Sequence, residues 1–151
     1  MREIRRDIVS GYILSHDNKV LFGKKDPHAG GVYSDCWHIP GGGMDEGESQ
    51  LEALEREIFE EVGISLTHAD VSLLDDIGQG ESEKMLSTGE KVLCHMHFFV
   101  YKIQLHENAD DVSVVLSDDL VEYQWVDTHA ISHIKLTPPS LELFRRLKIL
   151  T

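Results

Sequence analysis

The sequence predicts an α+β fold in which helices cover a mixed β-sheet. Three observations point there. Short runs of β-type residues recur along most of the chain, a single 3.6-residue period stands out in the middle, and a second amphipathic run closes the chain. With 151 residues, 41% of them apolar, the chain has material for one core but hardly for two, so one domain spanning 1–151 is expected.

Each element has its own signal. Residues 7–15 and 19–24 read as strands joined by a turn at His16-Asp17-Asn18, a β-hairpin. A Gly, Asp and Pro-rich loop follows, then "CWHI" (36–39) reads as a short strand running into Pro40 and three glycines. From Ser49 to Val62 the pattern turns helical, with Leu51, Leu54, Ile58 and Val62 inward and Gly63 as a left-handed stop. Residues 71–79 and 91–105 read as strands, joined by a polar connection over 80–90 that suits an exposed hairpin or loop. Residues 120–127 make a further strand. The run 139–150 reads as a second helix, with Leu141, Phe144, Leu147 and Leu150 inward.

Charge narrows the partners. A formal net charge of -13 argues against a general basic surface for nucleic acid, because neutralising phosphates takes clustered Lys and Arg. An anionic small molecule fits such a chain when metal ions intervene. Cys36 and Cys94 form no CxxC pair, and no secretory leader pattern precedes them, which suits a reduced, cytoplasmic protein. No apolar run approaches the roughly 20 residues a membrane helix needs. Strand edges and the 80–90 connection leave the choice between monomer and homodimer open.

The densest chemistry lies between Gly41 and Ile64, where eight acidic residues stand with one basic residue, Arg56. On a helix Glu57, Glu60 and Glu61 fall within about 100° of each other, beside the apolar face. Like charges at i, i+3 and i+4 repel by a few tenths of a kcal/mol per pair, so a counter-charge is expected. Oxygen-only donors suit a hard divalent ion, Mg²⁺ first and Mn²⁺ as a substitute. A solvated acidic face with Arg56 pairing Glu52 and Glu60 is the plainer alternative.

Spacing decides between them. Gly42, five residues, Glu48, seven residues, then Arg56-Glu57-Ile58-Phe59-Glu60-Glu61-Val62-Gly63-Ile64 is the full Nudix box. A chance match of its fixed positions is on the order of 10⁻⁷ over such a chain. The chain thus resembles the Nudix hydrolase superfamily, and its strand order is similar to that family's α/β/α sandwich with a mixed β-sheet between helices. The resemblance implies a hydrolase that cleaves a nucleoside diphosphate linked to another group with divalent cations. By position, the metal ligands would be Glu57, Glu60 and Glu61, with Glu48 near the metal shell and Arg56 orienting a glutamate. Family members differ in the catalytic base, which here would be Glu60 or an acid of the later stretch Asp118, Asp119 and Glu122, with Asp119 first among those.

Gly41, Gly42 and Gly43 would let the backbone turn sharply and approach phosphates or the helix. Lys24, with Lys25 beside it, would reach a substrate phosphate. His95 and His97 point to one face of a strand with Phe99 and Tyr101, while Cys94 points away. No third nitrogen or sulfur ligand is evident, so they read as groove-lining or hydrogen-bonded residues. Trp37, Tyr33 and Phe99 are candidates to stack on a base. In size the chain is most similar to MutT-type nucleoside triphosphate pyrophosphatases, so a nucleotide small molecule, plain or oxidised, is the expected substrate. An ADP-ribose or nucleotide-sugar pyrophosphatase is the alternative enzyme, and a non-catalytic nucleotide sensor the alternative of another class.

Overall fold

The computed structural model describes residues 1–26, 35–117 and 120–149. Tyr33, Asp118, Asp119 and Leu150 lie outside the described residues. The chain runs β1 (Arg2–Leu14), β2 (Lys19–Lys25), β3 (Gly41–Gly43), α1 (Gln50–Val62), β4 (Asp70–Asp75), β5 (Gln79–Met85), β6 (Lys91–Gln104), β7 (Leu120–Asp127) and α2 (Pro138–Arg146). The strands form a sheet in the order β4-β6-β1-β2-β7, with β3 beside β1 and β5 beside β6. Its centre is a long parallel pair, β1 with β6, and its other pairs are antiparallel, so the sheet is mixed as expected.

Strand alternation puts successive residues of β1 on opposite faces. Val9 and Ile13 pack with Leu21, Ala53, Leu54, Ile58 and Val62 on the α1 side. Tyr12 and Leu14 pack with Val20, Phe22, Leu143 and Phe144 on the α2 side. Phe144 meets Tyr12 and Phe22 edge-on, with ring centroids 6.0 and 5.9 Å apart. A sheet between two helical layers results, the α/β/α sandwich.

Several expectations change. "CWHI" makes only isolated bridges, Trp37 to Leu136 and His38 to Gly23, whereas the glycines expected to turn sharply form β3, paired through Gly41, Gly42 and Gly43 with Ser10, Val9 and Ile8. The polar connection over 80–90 contributes β5, closed onto β6 by a turn with Gly89 at φ 87°. In α1 Leu51 is 55% exposed and Ala53 buried. The buried arc of that helix is centred near Glu61 and Leu54 rather than between the leucines, because β3 lies against its acidic side. The last helix ends at Arg146, and Leu143 takes the deep place beside Phe144, with Leu141 and Leu147 only partly buried.

One ion pair ties α2 to the sheet. Arg146 donates from Nε and Nη2 to the two Asp75 oxygens at 3.0 and 2.6 Å, next to an irregularity in the β4–β6 ladder. The Arg146 guanidinium holds the buried Asp75 carboxyl below its usual range. Arg146→Met strands that charge and is expected to cost about 2–3 kcal/mol. Urea unfolding should show a lower midpoint with an unchanged slope.

Candidate active site

Helix α1 is well specified at both ends. The Ser49 hydroxyl accepts from the Glu52 N–H at 3.1 Å and the Glu52 carboxylate accepts from the Ser49 N–H, a capping box, while Gly63 stops the helix at φ 71°. The glutamates therefore sit at fixed rotations about a rigid rod. Glu57 and Glu61 are one turn apart on the flank facing β3, with Glu61 only 3% exposed, and Glu60 points further outward.

Beta strand β3 meets them through its glycines. The Gly41 N–H donates to Glu61 Oε1 at 2.7 Å. At Gly42 a Cβ would overlap the Glu57 carboxylate, so only glycine lets that carboxylate lie against the strand. The close approach to the helix expected of these glycines is present, but it is made by a strand edge rather than a turn.

Arg56 is the hub. Its Nε and Nη2 donate to the Glu48 oxygens at 2.7 and 2.9 Å, Nη1 donates to Glu57 at 2.8 Å and to Glu60 at 3.3 Å, and Nη2 also reaches the Gly43 carbonyl at 3.0 Å. Five donors in a planar fork make this possible. The Arg56 fork, helped by the Asp45 N–H at 2.7 Å, lowers the Glu48 carboxyl to about 2. Arg56 is correspondingly raised, chiefly by Glu48. Asp45, whose carboxylate lies 3.4 Å from Arg56, belongs to this network and was not marked by the spacing argument. The acidic run contained it, but nothing in one dimension separates it from Glu46. Ser117 is another unmarked member, donating its hydroxyl to the Glu60 carbonyl and tying the segment before β7 to the helix end.

The remaining candidates are placed as follows. The Lys24 amine lies 4.8 Å from the centroid of the Trp37 ring. Glu122 pairs with Lys24 across β7 and β2, three residues beyond Asp119. His95 bonds Glu3 and Glu81 at 2.9 and 3.1 Å, His97 bonds the Asp76 carbonyl, and Phe99 packs on His97. Cys94 is buried on the opposite side.

Metal fit rests on donor chemistry. Among the described residues no group of three or more carboxylates, imidazoles and thiols is gathered closely enough to hold an ion by itself. The helix instead offers carboxylate oxygens in ones and twos, which suits an ion that keeps water and shares substrate phosphates. Glu57, Glu60 and Glu61 would hold it, with Arg56 standing among them as the resident cation. Among the described residues no helix is long and apolar enough to cross a membrane.

Comparisons with known proteins agree with this geometry. A family model for the NUDIX domain matches residues 4–147. An RNA pyrophosphohydrolase of Ruthia magnifica is 28% identical over 129 residues, covering 78% of this chain and 65% of that protein, so the chain spans a little under two thirds of its length. The nucleoside triphosphatase NudI of Escherichia coli is 32% identical over 103 residues, 62% of this chain and 70% of that protein. The MutT protein of Methanosarcina mazei superposes with a TM-score of 0.64 at 23% identity, covering 98% of this chain and 96% of that one, a likeness of fold. With its model matched across nearly the whole chain and its box built into α1, the chain belongs to the NUDIX domain family.

Proposed function

We propose that the chain is a Mg²⁺-dependent pyrophosphohydrolase, working as a single domain, that converts a nucleoside triphosphate to the monophosphate and pyrophosphate. The observation that carries this reading is the pair Glu57 and Glu61 on the helix edge facing β3, Glu61 held by the Gly41 N–H and Glu57 by Arg56, which also bonds the outward Glu60. A nucleoside triphosphatase at 32% identity supports the substrate class.

Bound magnesium would neutralise phosphate oxygens and lower the pKa of an attacking water. The chain's own residues do the rest. Glu57 and Glu61 would hold the metal from a flank fixed by Gly41 and Gly42. Glu48 keeps Arg56 in place, and Arg56 aims Glu57. Glu60, the more exposed carboxylate, takes the proton of the attacking water, with Asp119 the second candidate for that task. Gly41, Gly42 and Gly43 keep the strand edge bare of side chains so that phosphates approach, and Lys24 meets a phosphate from β2.

Phosphate release across common and oxidised triphosphates, ADP-ribose and nucleotide sugars, with Mg²⁺ and then with chelator, tests the reading. Each substrate is run with the coupling pyrophosphatase or phosphatase its product requires. Triphosphate cleavage abolished by chelator is the expected result. Preference for ADP-ribose or a sugar nucleotide overturns the substrate assignment. Nucleotide binding without turnover of any substrate overturns the hydrolase and makes the domain a sensor.

A further inference from the structure

The two edges of the sheet are built differently. On one side β5 presents Glu81, Ser82, Glu83 and Lys84, all exposed, a charged pattern that keeps an edge from pairing. On the other side β7 ends the sheet with neither lysine nor proline, and its Val121 and Tyr123 stand 50% and 44% exposed. An edge without such protection is a template for another strand.

Register fixes which backbone groups β7 turns outward. Gly23 exchanges backbone hydrogen bonds with His38, at 2.8 and 3.0 Å, on the side of β2 away from β7. In an antiparallel ladder a residue that bonds one neighbour in this way turns its N–H and C=O from the other, so Gly23 and Tyr123 form a non-hydrogen-bonded pair. Tyr123 therefore points its own N–H and C=O away from β2, and Trp125, two residues on, does the same. No other described strand meets them there. Their side chains share one face, because Trp125 packs on the α1-side core and Val126 on the α2-side core.

We propose that β7 is a homodimer interface, pairing antiparallel with β7 of a second copy about a two-fold axis at Gln124. The strand is complementary to itself in that register. Tyr123 lies opposite the partner's Trp125 and Trp125 opposite the partner's Tyr123, so the outward groups make about four hydrogen bonds between the chains. Two aromatic cross-strand pairs form on the same face. Neither acid of the strand meets another acid, since Glu122 faces the partner's Val126 and Asp127 faces the partner's Val121. This self-matching of charge and aromatic residues selects a second copy over an unrelated peptide. Each chain carries a net charge of -13, so the approach is opposed at low salt and eased when salt screens it. One strand pair makes a small interface, with a dissociation constant on the order of 10 μM.

Sedimentation equilibrium of the full chain over about 1–300 μM protein, at low and at physiological salt, tests the proposal. A monomer–dimer equilibrium that tightens with salt is expected. Tyr123→Lys places an ammonium on the edge and should weaken association about tenfold or more, with an unchanged melting temperature showing that the variant folds. Gln124→Cys should give a disulfide-linked dimer under mild oxidation, because a non-hydrogen-bonded pair holds its Cα atoms about 4.5 Å apart. The parent chain, whose Cys36 and Cys94 are buried, should not form it. A chain that stays monomeric over the whole range overturns the proposal, whether or not the edge takes up a foreign strand, as does a dimer indifferent to Tyr123→Lys. A dimer that Tyr123→Lys disrupts but Gln124→Cys leaves unlinked overturns the axis at Gln124.

Discussion

Replacing Glu57 by Gln is expected to lower kcat/KM by about 100-fold or more, while the melting temperature stays close to that of the parent chain. Glu57 lies against Gly42 and takes the Arg56 Nη1 donor at 2.8 Å, so its position is fixed from two sides. Glutamine keeps the shape and one acceptor oxygen but loses the charge that a divalent cation needs. Titration with Mn²⁺, followed by its electron spin resonance signal, should show weaker metal binding in the variant. Unchanged turnover together with unchanged Mn²⁺ affinity would remove Glu57 from the metal site.

The second large effect is expected for Arg56→Lys. A lysine keeps the charge but presents a point of positive charge in place of a planar fork, so it cannot serve Glu48, Glu57, Glu60 and the Gly43 carbonyl together. By analogy with residues that orient metal ligands, activity should fall about 10–100-fold. Stability should also change its dependence on pH. Glu48 is held at about 2 against an ordinary 4.5, so its contribution is fully present above 4.5 and fades as pH falls towards 2. The parent chain should therefore lose stability across that window more steeply than Arg56→Lys, in which Glu48 returns towards its ordinary value. Parallel acid-unfolding curves for the two would contradict the role given to the Arg56–Glu48 pair.

How the site was legible differs from residue to residue. Ser49, Glu52 and Gly63 bracket a helix by local hydrogen bonds and one left-handed residue, which are properties of neighbours in sequence; the apolar period from Ser49 to Val62 and the Gly63 stop already marked the ends of α1. Spacing likewise put Arg56, Glu57, Glu60 and Glu61 on one rod. It could not say that Glu57 and Glu61 turn towards the sheet while Glu60 turns away, because that depends on which strand lies beside the helix. Leu51 shows the same limit. Its apolar period looked inward, yet with β3 packed on the acidic side the buried arc shifts past it, and it stands exposed.

By itself, then, the sequence determined the family, the order of its main strands and helices, and the residues that carry charge to the site, since each is written in local pattern or fixed spacing. Only the tertiary structure decided that three glycines form a strand rather than a turn, that Glu48 and the Gly43 carbonyl share one guanidinium, and that Tyr123 lies opposite Gly23 on an edge of the sheet. Those contacts join residues many positions apart. Their partners are selected by sheet register, which depends on how both faces of the sheet pack and not on any single stretch of chain.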